Sequence, residues 1–129
     1  MDQPAGKILI VDDEPALLKM MSIYLGRLGF SVITANATDK AWSEVERAPG
    51  EFAVAVLDAT MPGMTMEDLA TRLLNVNPSL RVLAASGYPV DTTVLEARAP
   101  GRVSFLHKPF TPEMLAAAVR RMLAAQEEV

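Results

Sequence analysis

"VLDATMPG", residues 56–63, is the stretch that decides the fold, because it joins an apolar run to a turn through a single acidic residue. The run before Asp58 is continuous and apolar, which is typical of a strand buried on both faces in a parallel sheet. A carboxylate at the end of such a strand is costly unless other groups compensate its charge. The stretch therefore predicts a parallel sheet with a polar site at the carboxyl end of this strand.

Strand-like runs and helical patterns alternate along the rest of the chain. The strand-like runs are 7–11, 31–35, 54–57, 81–85 and 103–106, and the second alternates in a way that suits a strand near a sheet edge. Apolar residues at helical spacing, with capping residues such as Pro15 and Gly29, predict helices over 15–28, 41–48, 66–73 and 111–123, and 91–97 is the least periodic helical stretch. This alternation predicts a doubly wound α/β domain: a five-stranded parallel sheet with five helices on both faces.

Length and composition limit the class of protein. The chain has 129 residues, half of them apolar, which predicts a single domain over 1–129 with loose ends at 1–6 and 126–129. It has no cysteine, so disulfides and thiol chemistry are excluded. A net charge of -4 with scattered basic residues argues against a nucleic-acid surface on this domain. The absence of a signal peptide pattern or a long apolar stretch predicts a cytoplasmic protein with no membrane partner.

Polar residues follow four of the five predicted strands. Asp12 and Asp13 follow the first, Asp58 the third, Ser86 the fourth and Lys108 the fifth, so all five should meet at one sheet edge. Three carboxylates there repel one another unless a cation joins them, and hard oxygen ligands suit Mg²⁺. Such a metal shares its ligands with phosphate oxygens. We therefore expect Asp58 to be a nucleophile toward phosphorus, with Lys108 and Ser86 facing the phosphoryl oxygens.

Four motifs resemble the receiver domain of two-component response regulators. They are "ILIVDDEP" (8–15), "VLDATMPGM" (56–64), "AASGYP" (84–89) and "FLHKPF" (105–110), in the order and spacing of that family. The resemblance runs across nearly the whole chain. It implies a flavodoxin-like fold with strand order 2-1-3-4-5.

The resemblance also implies a role for each site residue. Asp58 is the phosphoacceptor. It ligates Mg²⁺ together with Asp13 and the backbone carbonyl of Thr60, while Asp12 acts through water; Mn²⁺ is the second metal that would serve. Ser86 and Phe105 are implied to be switch residues that move when the phosphoryl group arrives. The Lys108–Pro109 peptide is implied to be cis.

The partners implied by the resemblance are a sensor histidine kinase or a phosphotransfer protein as donor, and an unidentified output partner or domain. The output surface, and with it a phosphorylation-dependent homodimer, would use the fourth helix, fifth strand and fifth helix. "SGY" and "KPFTPEML" resemble receivers attached to hybrid histidine kinases more than those of transcription factors. The chain departs from the family at Thr65 and Met66, where Asp-Gly is usual, so the turn into the third helix lacks its glycine.

Simpler interpretations stand beside these. Asp12 and Asp13 could be helix caps, Asp58 an Asx-turn residue, and Ser86 a turn residue before Gly87. Two other functions also fit part of the pattern. A phosphatase of the haloacid dehalogenase type uses an Asp after a buried strand but needs a second Asp where this chain has Thr60. A docking module could keep the fold without being phosphorylated.

Three further side-chain types need an interpretation. His107, the only histidine, is a candidate phosphocarrier but is more typical of a structural or solvent-facing residue. The neighbouring methionines 61, 64 and 66 are predicted to pack in the core rather than to form a partner surface. Phe105, on a strand, is by its position alone a core residue.

Overall fold

A computed structural model of the chain describes residues 6–127, with side chains as far as residue 124. The strands are β1 (Lys7–Val11), β2 (Val32–Ala35), β3 (Phe52–Asp58), β4 (Arg81–Ser86) and β5 (Val103–His107). The helices are α1 (Pro15–Arg27), α2 (Thr38–Arg47), α3 (Met66–Val76), α4 (Thr93–Arg98) and α5 (Pro112–Glu127), and a 3₁₀ turn lies at Pro49–Glu51.

The five strands form one parallel sheet in the order β2-β1-β3-β4-β5. This confirms the predicted fold class, the flavodoxin-like strand order and the edge position of the second strand. All seven residues of β3 and all six of β4 are buried. Their continuous apolar sequences therefore reflect coverage of the sheet on both faces.

The helices cover the sheet from both sides and create two hydrophobic clusters. One cluster joins α2, α3 and α4 to one face of the sheet. The other joins α1 and α5 to the opposite face. Because side chains alternate along a strand, neighbouring residues of β1 divide between the clusters: Ile8 and Ile10 belong to one, and Leu9 and Val11 to the other.

Local sequence signals explain where two of the helices end or begin. After α1 the chain adopts a positive φ of 98° at Gly29, and the Phe30 N–H donates to the Leu25 carbonyl at 3.1 Å. Glycine suits this position because it has no side chain to clash. At α5, the Thr111 hydroxyl accepts from the Met114 N–H at 3.1 Å, directly before Pro112. These two predicted helix signals are confirmed.

Some boundaries differ from the sequence prediction. β3 begins at Phe52, two positions before the predicted run, because Phe52 already pairs with Lys7 of β1. Of the predicted loose ends, residues 1–5 and 128–129 lie outside the described residues, and α5 continues to Glu127. Within residues 6–127, no helix has both the length and the apolar character needed to cross a membrane.

Candidate functional site

The carboxyl ends of β1, β3 and β4 carry the site. Asp58 and Ser86 are the last residues of their strands, and Asp12 directly follows β1. Backbone hydrogen bonds hold the loops beyond these ends together: the Ala59 N–H donates to the Ala85 carbonyl at 2.9 Å, and the Lys108 N–H donates to the Ser86 carbonyl at 2.7 Å. Parallel pairing thus brings residues distant in sequence to one edge of the sheet.

Three carboxylates meet at this edge. One oxygen from each of Asp12, Asp13 and Asp58 lies within 4.8 Å of the others. Asp12 and Asp58 are only 3% and 4% exposed, whereas Asp13 faces solvent. An octahedral Mg²⁺ with ligands at about 2.0–2.1 Å holds opposite oxygens about 4.2 Å apart. Neighbouring ligands of the same octahedron are about 2.9 Å apart, so direct ligation by two of the acids would need their oxygens closer together than 4.8 Å, and the third acid could act through water.

Lys108 supplies the positive charge of the site. Its Nζ lies 3.0 Å from Asp12 Oδ2 and 3.6 Å from Asp58 Oδ2. Burial lowers the pKa of Lys108, but the hydrogen bond to Asp12 and the attraction of Asp12, Asp58 and Glu14 outweigh it, so the pKa is raised overall. The side chain therefore stays an ammonium group, and it balances only one of the three acids. The predicted cis peptide between Lys108 and Pro109 is present.

The two buried acids differ in how their oxygens are used. Asp12 Oδ1 accepts from the Glu14 N–H at 3.0 Å, and its Oδ2 accepts from Lys108. Asp58 Oδ1 accepts from both the N–H and the hydroxyl of Thr60, each at 3.2 Å. Both Asp12 oxygens thus have a protein donor, whereas the Lys108 contact of Asp58 Oδ2 is longer than a hydrogen bond.

Ser86 lies at the edge of the site, and its hydroxyl takes part in a local turn. The residue is 1% exposed, and its Oγ accepts from the Tyr88 N–H at 3.2 Å. Within residues 6–127 no hydrogen bond links this hydroxyl to the acids or to Lys108. The structure therefore brings Asp12, Asp13, Asp58 and Lys108 together and leaves the Ser86 hydroxyl in a local turn.

Phe105 is not a core residue, and that prediction was wrong. It is 37% exposed on β5, and its ring meets the ring of His107 edge-on, with centroids 6.3 Å apart. β5 is an edge strand whose outer face is incompletely covered, which strand periodicity alone does not reveal. His107 is exposed, in line with the solvent-facing interpretation. The three methionines 61, 64 and 66 pack in or against the core, as predicted.

The local structure also decides the simpler interpretations. The N-cap position of α1 is Glu14, so neither Asp12 nor Asp13 is the N-cap residue, although Asp12 Oδ1 accepts from the Glu14 N–H. Asp58 and Ser86 do accept turn hydrogen bonds, and these coexist with the acid cluster.

Sequence reasoning missed two features near the site. The first is the hydroxyl bond from Thr60 to Asp58. The second is the cap at α3, where the Thr65 hydroxyl accepts from the Asp68 N–H at 3.1 Å and Gly63 carries the positive φ. A threonine three residues before an acid is a sequence signal of a helix start and could have revealed this cap. The helix thus starts without the family's usual glycine.

Residues 8–120 match the family model described as the response regulator receiver domain. The chain belongs to this family. Receiver domains are signalling modules of two-component systems, and the cluster of Asp12, Asp13 and Asp58 is typical of their phosphorylation and Mg²⁺ site. The resemblance seen in the sequence is therefore confirmed.

Curated relatives of this receiver domain include regulators and a kinase. It is 32% identical over 97% of its length to the DNA-binding transcriptional regulator NtrC of Bradyrhizobium sp. (strain RP501 Parasponia), and spans 26% of that protein. It is 31% identical over 95% of its length to the sensor kinase CckA of Brucella abortus (strain 2308), and spans 13% of it. The similarity thus covers only a receiver-sized part of each relative, and both kinds of parent protein are represented.

Solved structures show the same architecture. A CheY-like response regulator receiver domain protein from Methanospirillum hungatei JF-1 superposes with a TM-score of 0.84 at 25% identity. The match covers 95% of this receiver domain and 97% of that chain. The order of strands and the positions of the helices are therefore those of the family.

Proposed function

We propose that Asp58 accepts a phosphoryl group from a sensor histidine kinase or a phosphotransfer protein, and that the domain then changes its docking surface. The observation that carries the proposal is the convergence of three carboxylates and one ammonium group at the end of the sheet. Three negative charges and one positive charge leave a site that favours a divalent cation and, with it, a phosphoryl group.

The metal we assign is Mg²⁺, with Mn²⁺ as an alternative. Asp13, Asp58 and the backbone carbonyl of Thr60 would ligate it directly, and Asp12 would act through water. The hydrogen bonding supports this division, because both oxygens of Asp12 already accept from protein donors while Asp13 is exposed. When bound, the metal neutralises charge on the phosphoryl oxygens.

The transfer step uses few protein groups. An oxygen of the Asp58 carboxylate attacks phosphorus, forming an oxygen–phosphorus bond as the bond from phosphorus to the donor imidazole nitrogen breaks, and the electron pair stays on that nitrogen. The Lys108 ammonium, 3.6 Å from Asp58 Oδ2, is positioned to hold charge that builds on the phosphoryl oxygens. Asp58 is the last residue of β3 and lies in the cluster beside Asp13, which faces solvent.

We assign the switch to Ser86 and Phe105. The Ser86 hydroxyl binds a backbone N–H and the Phe105 ring is turned outward, which suits the state without a phosphoryl group. After transfer, the Ser86 hydroxyl would donate to a phosphoryl oxygen and Phe105 would turn inward behind it. Phosphorylation thus biases two alternative arrangements of the same edge.

The docking surface we assign is formed by α4, β5 and α5, and a phosphorylation-dependent homodimer would use it too. Exposed apolar side chains support this: Val94 on α4 is 66% exposed and Met114 on α5 is 46% exposed. The output partner is unidentified. We further propose a cytoplasmic location and a single receiver domain over 1–129.

The test is phosphorylation by a small acyl phosphate donor, followed by intact mass measurement. With Mg²⁺ the mass of the wild type should increase by one phosphoryl group, and with a chelator or in Asp58→Asn it should not. An unmodified wild type under all donors would contradict the proposal. If a partner instead binds wild type and Asp58→Asn with equal affinity, the domain is a docking module that does not depend on phosphorylation. Continuous hydrolysis of a generic phosphate ester would instead favour a phosphatase.

A further inference from the structure

A cavity lies at the amino-terminal ends of the strands, at the opposite end of the sheet from the acid cluster. It has a volume of about 240 Å³ and is bounded by the beginning of β4, the beginning of β5 and the outer half of α5. Arg81 and Arg121 line it, and none of the described residues that line it is acidic. Arg81 begins β4 and Ser86 ends it, so the cavity is roughly 16 Å from the acid cluster along the strand.

Arg81 is a buried charge that has no counter-charge among the described residues. The residue is 7% exposed, and its one hydrogen bond among the described residues runs from Nη1 to the Gly101 carbonyl. Its Nε is shielded from solvent and has no acceptor. Buried arginine is almost always paired, because leaving a guanidinium group desolvated without an anion is costly. Four of the five N–H bonds of this guanidinium are unused by the part of the protein that is described.

The surroundings of Arg81 add further positive charge. Arg102 is held by three carbonyl groups, those of Leu74, Asn77 and Leu80, and not by a carboxylate. Burial and the nearby charge of Arg81 lower the pKa of Arg102. Arg121 approaches the cavity from α5 and has no ion pair among the side chains of residues 6–124. Three guanidinium groups thus gather at one end of the sheet, and no acid among the side chains of residues 6–124 pairs with them.

We propose that this cavity binds a small oxyanion of the phosphate or carboxylate class between Arg81 of β4 and Arg121 of α5. The volume is below the 300–1,000 Å³ of typical small-molecule pockets, so the occupant is an ion or a single acidic group. The planar guanidinium group matches the paired oxygens of such anions. The anion supplies the missing counter-charge and accepts from N–H groups of Arg81 that lack a partner.

The direct test follows the side-chain Nε–H signals of the arginines by ¹H–¹⁵N NMR. The protein is titrated without Mg²⁺ with inorganic phosphate, with acetate, and with chloride at equal ionic strength. With phosphate or acetate, or both, the Arg81 and Arg121 signals should move and saturate, with a dissociation constant on the order of 1 mM. The anion that binds more tightly, phosphate or acetate, defines the class of ligand. Shifts that are absent, unsaturable or equal for chloride would overturn the proposal.

Matched variants separate the site from general salt effects. Arg121→Gln should weaken binding about tenfold, whereas Arg120→Gln, the neighbouring exposed arginine, should leave it unchanged. Arg81→Met removes the uncompensated charge, so this variant should unfold at a temperature no lower than the wild type in anion-free buffer, and added phosphate should no longer raise that temperature selectively. If phosphate raises the unfolding temperature of Arg81→Met as much as that of the wild type, the proposal is overturned. Asp58→Asn should keep the anion response, which makes this test independent of phosphorylation.

Discussion

At the scale of single residues, the site is a balance between carboxylate repulsion and one ammonium group. Asp12 and Asp58 are buried, and Lys108 lies between them at 3.0 and 3.6 Å. Asp13 adds a third negative charge from the solvent side. Three carboxylates face one ammonium group, so the site keeps a net negative charge. A substitution that changes this charge should therefore alter both the free energy of unfolding and the affinity for a divalent cation.

Replacing Asp13 tests the cation side of this balance. Asp13→Asn removes one anionic ligand from the cluster, so Mg²⁺ should bind about tenfold or more weakly, because affinity follows the number of charged ligands. Isothermal titration with Mg²⁺ gives the comparison. Glu46→Gln, an exposed acid on α2, is the control and should bind like the wild type. Unchanged affinity in Asp13→Asn would exclude Asp13 from the metal site.

Replacing Lys108 tests the ammonium side. Lys108→Met leaves Asp12 and Asp58 close together without a cation, so the free energy of unfolding in Mg²⁺-free buffer should fall by about 1–3 kcal/mol. Added Mg²⁺ should restore part of this loss and should bind more tightly than to the wild type. Urea denaturation with and without Mg²⁺ measures both effects.

The control for Lys108 is another lysine with an acidic partner. Lys7 pairs with Glu51 at 2.7 Å, but their side chains are 37% and 53% exposed. Lys7→Met should therefore cost no more than about 1 kcal/mol and should not respond to Mg²⁺. If the two lysine variants behave alike, Lys108 has no special role in the site.

At the scale of secondary structure elements, helix starts are set by individual hydroxyl groups. Thr65 caps α3 with a hydrogen bond to the Asp68 N–H, whereas Thr92 occupies the N-cap position of α4 without such a bond. Thr65→Ala should reduce the free energy of unfolding by about 1 kcal/mol, and Thr92→Ala by clearly less. Equal losses in thermal or urea unfolding would mean that the cap at Thr65 is not what stabilises α3.

α4 is the element we expect to be least stable. It has six residues and a single buried one, Leu95, and its N-cap residue Thr92 makes no capping hydrogen bond. Short helices with few buried contacts open locally at low free energy. Hydrogen exchange should therefore be faster in α4 than in α3, which has eleven residues and five buried side chains. Similar protection of the two helices would contradict this ranking.

The elements also show which structural features can be predicted from sequence. β1, β3 and β4 were predicted because strands covered on both faces have continuous apolar sequences. The convergence of Asp12, Asp58 and Lys108 followed, since parallel strands place their carboxyl ends at one edge. Phe105 was wrongly predicted to be a core residue, because the coverage of an edge strand depends on how far the helices extend over it.

At the scale of the whole molecule, side chains of opposite charge gather at the two ends of the parallel strands. The carboxyl ends of the strands gather three acids around Lys108, and the amino ends gather Arg81, Arg102 and Arg121. The acid edge was predictable from motifs at the strand ends. The arginine edge was not, because the burial of Arg81 depends on the packing of α5 over the start of β4.

The most direct test of the proposed function is to locate the phosphoryl group. After reaction with a small acyl phosphate and Mg²⁺, borohydride reduction converts a phosphorylated aspartate to homoserine, and peptide mass mapping identifies the residue. We predict homoserine at position 58 and unmodified residues at Asp12, Asp13 and His107. Modification at any of those three residues with Asp58 intact would contradict the account.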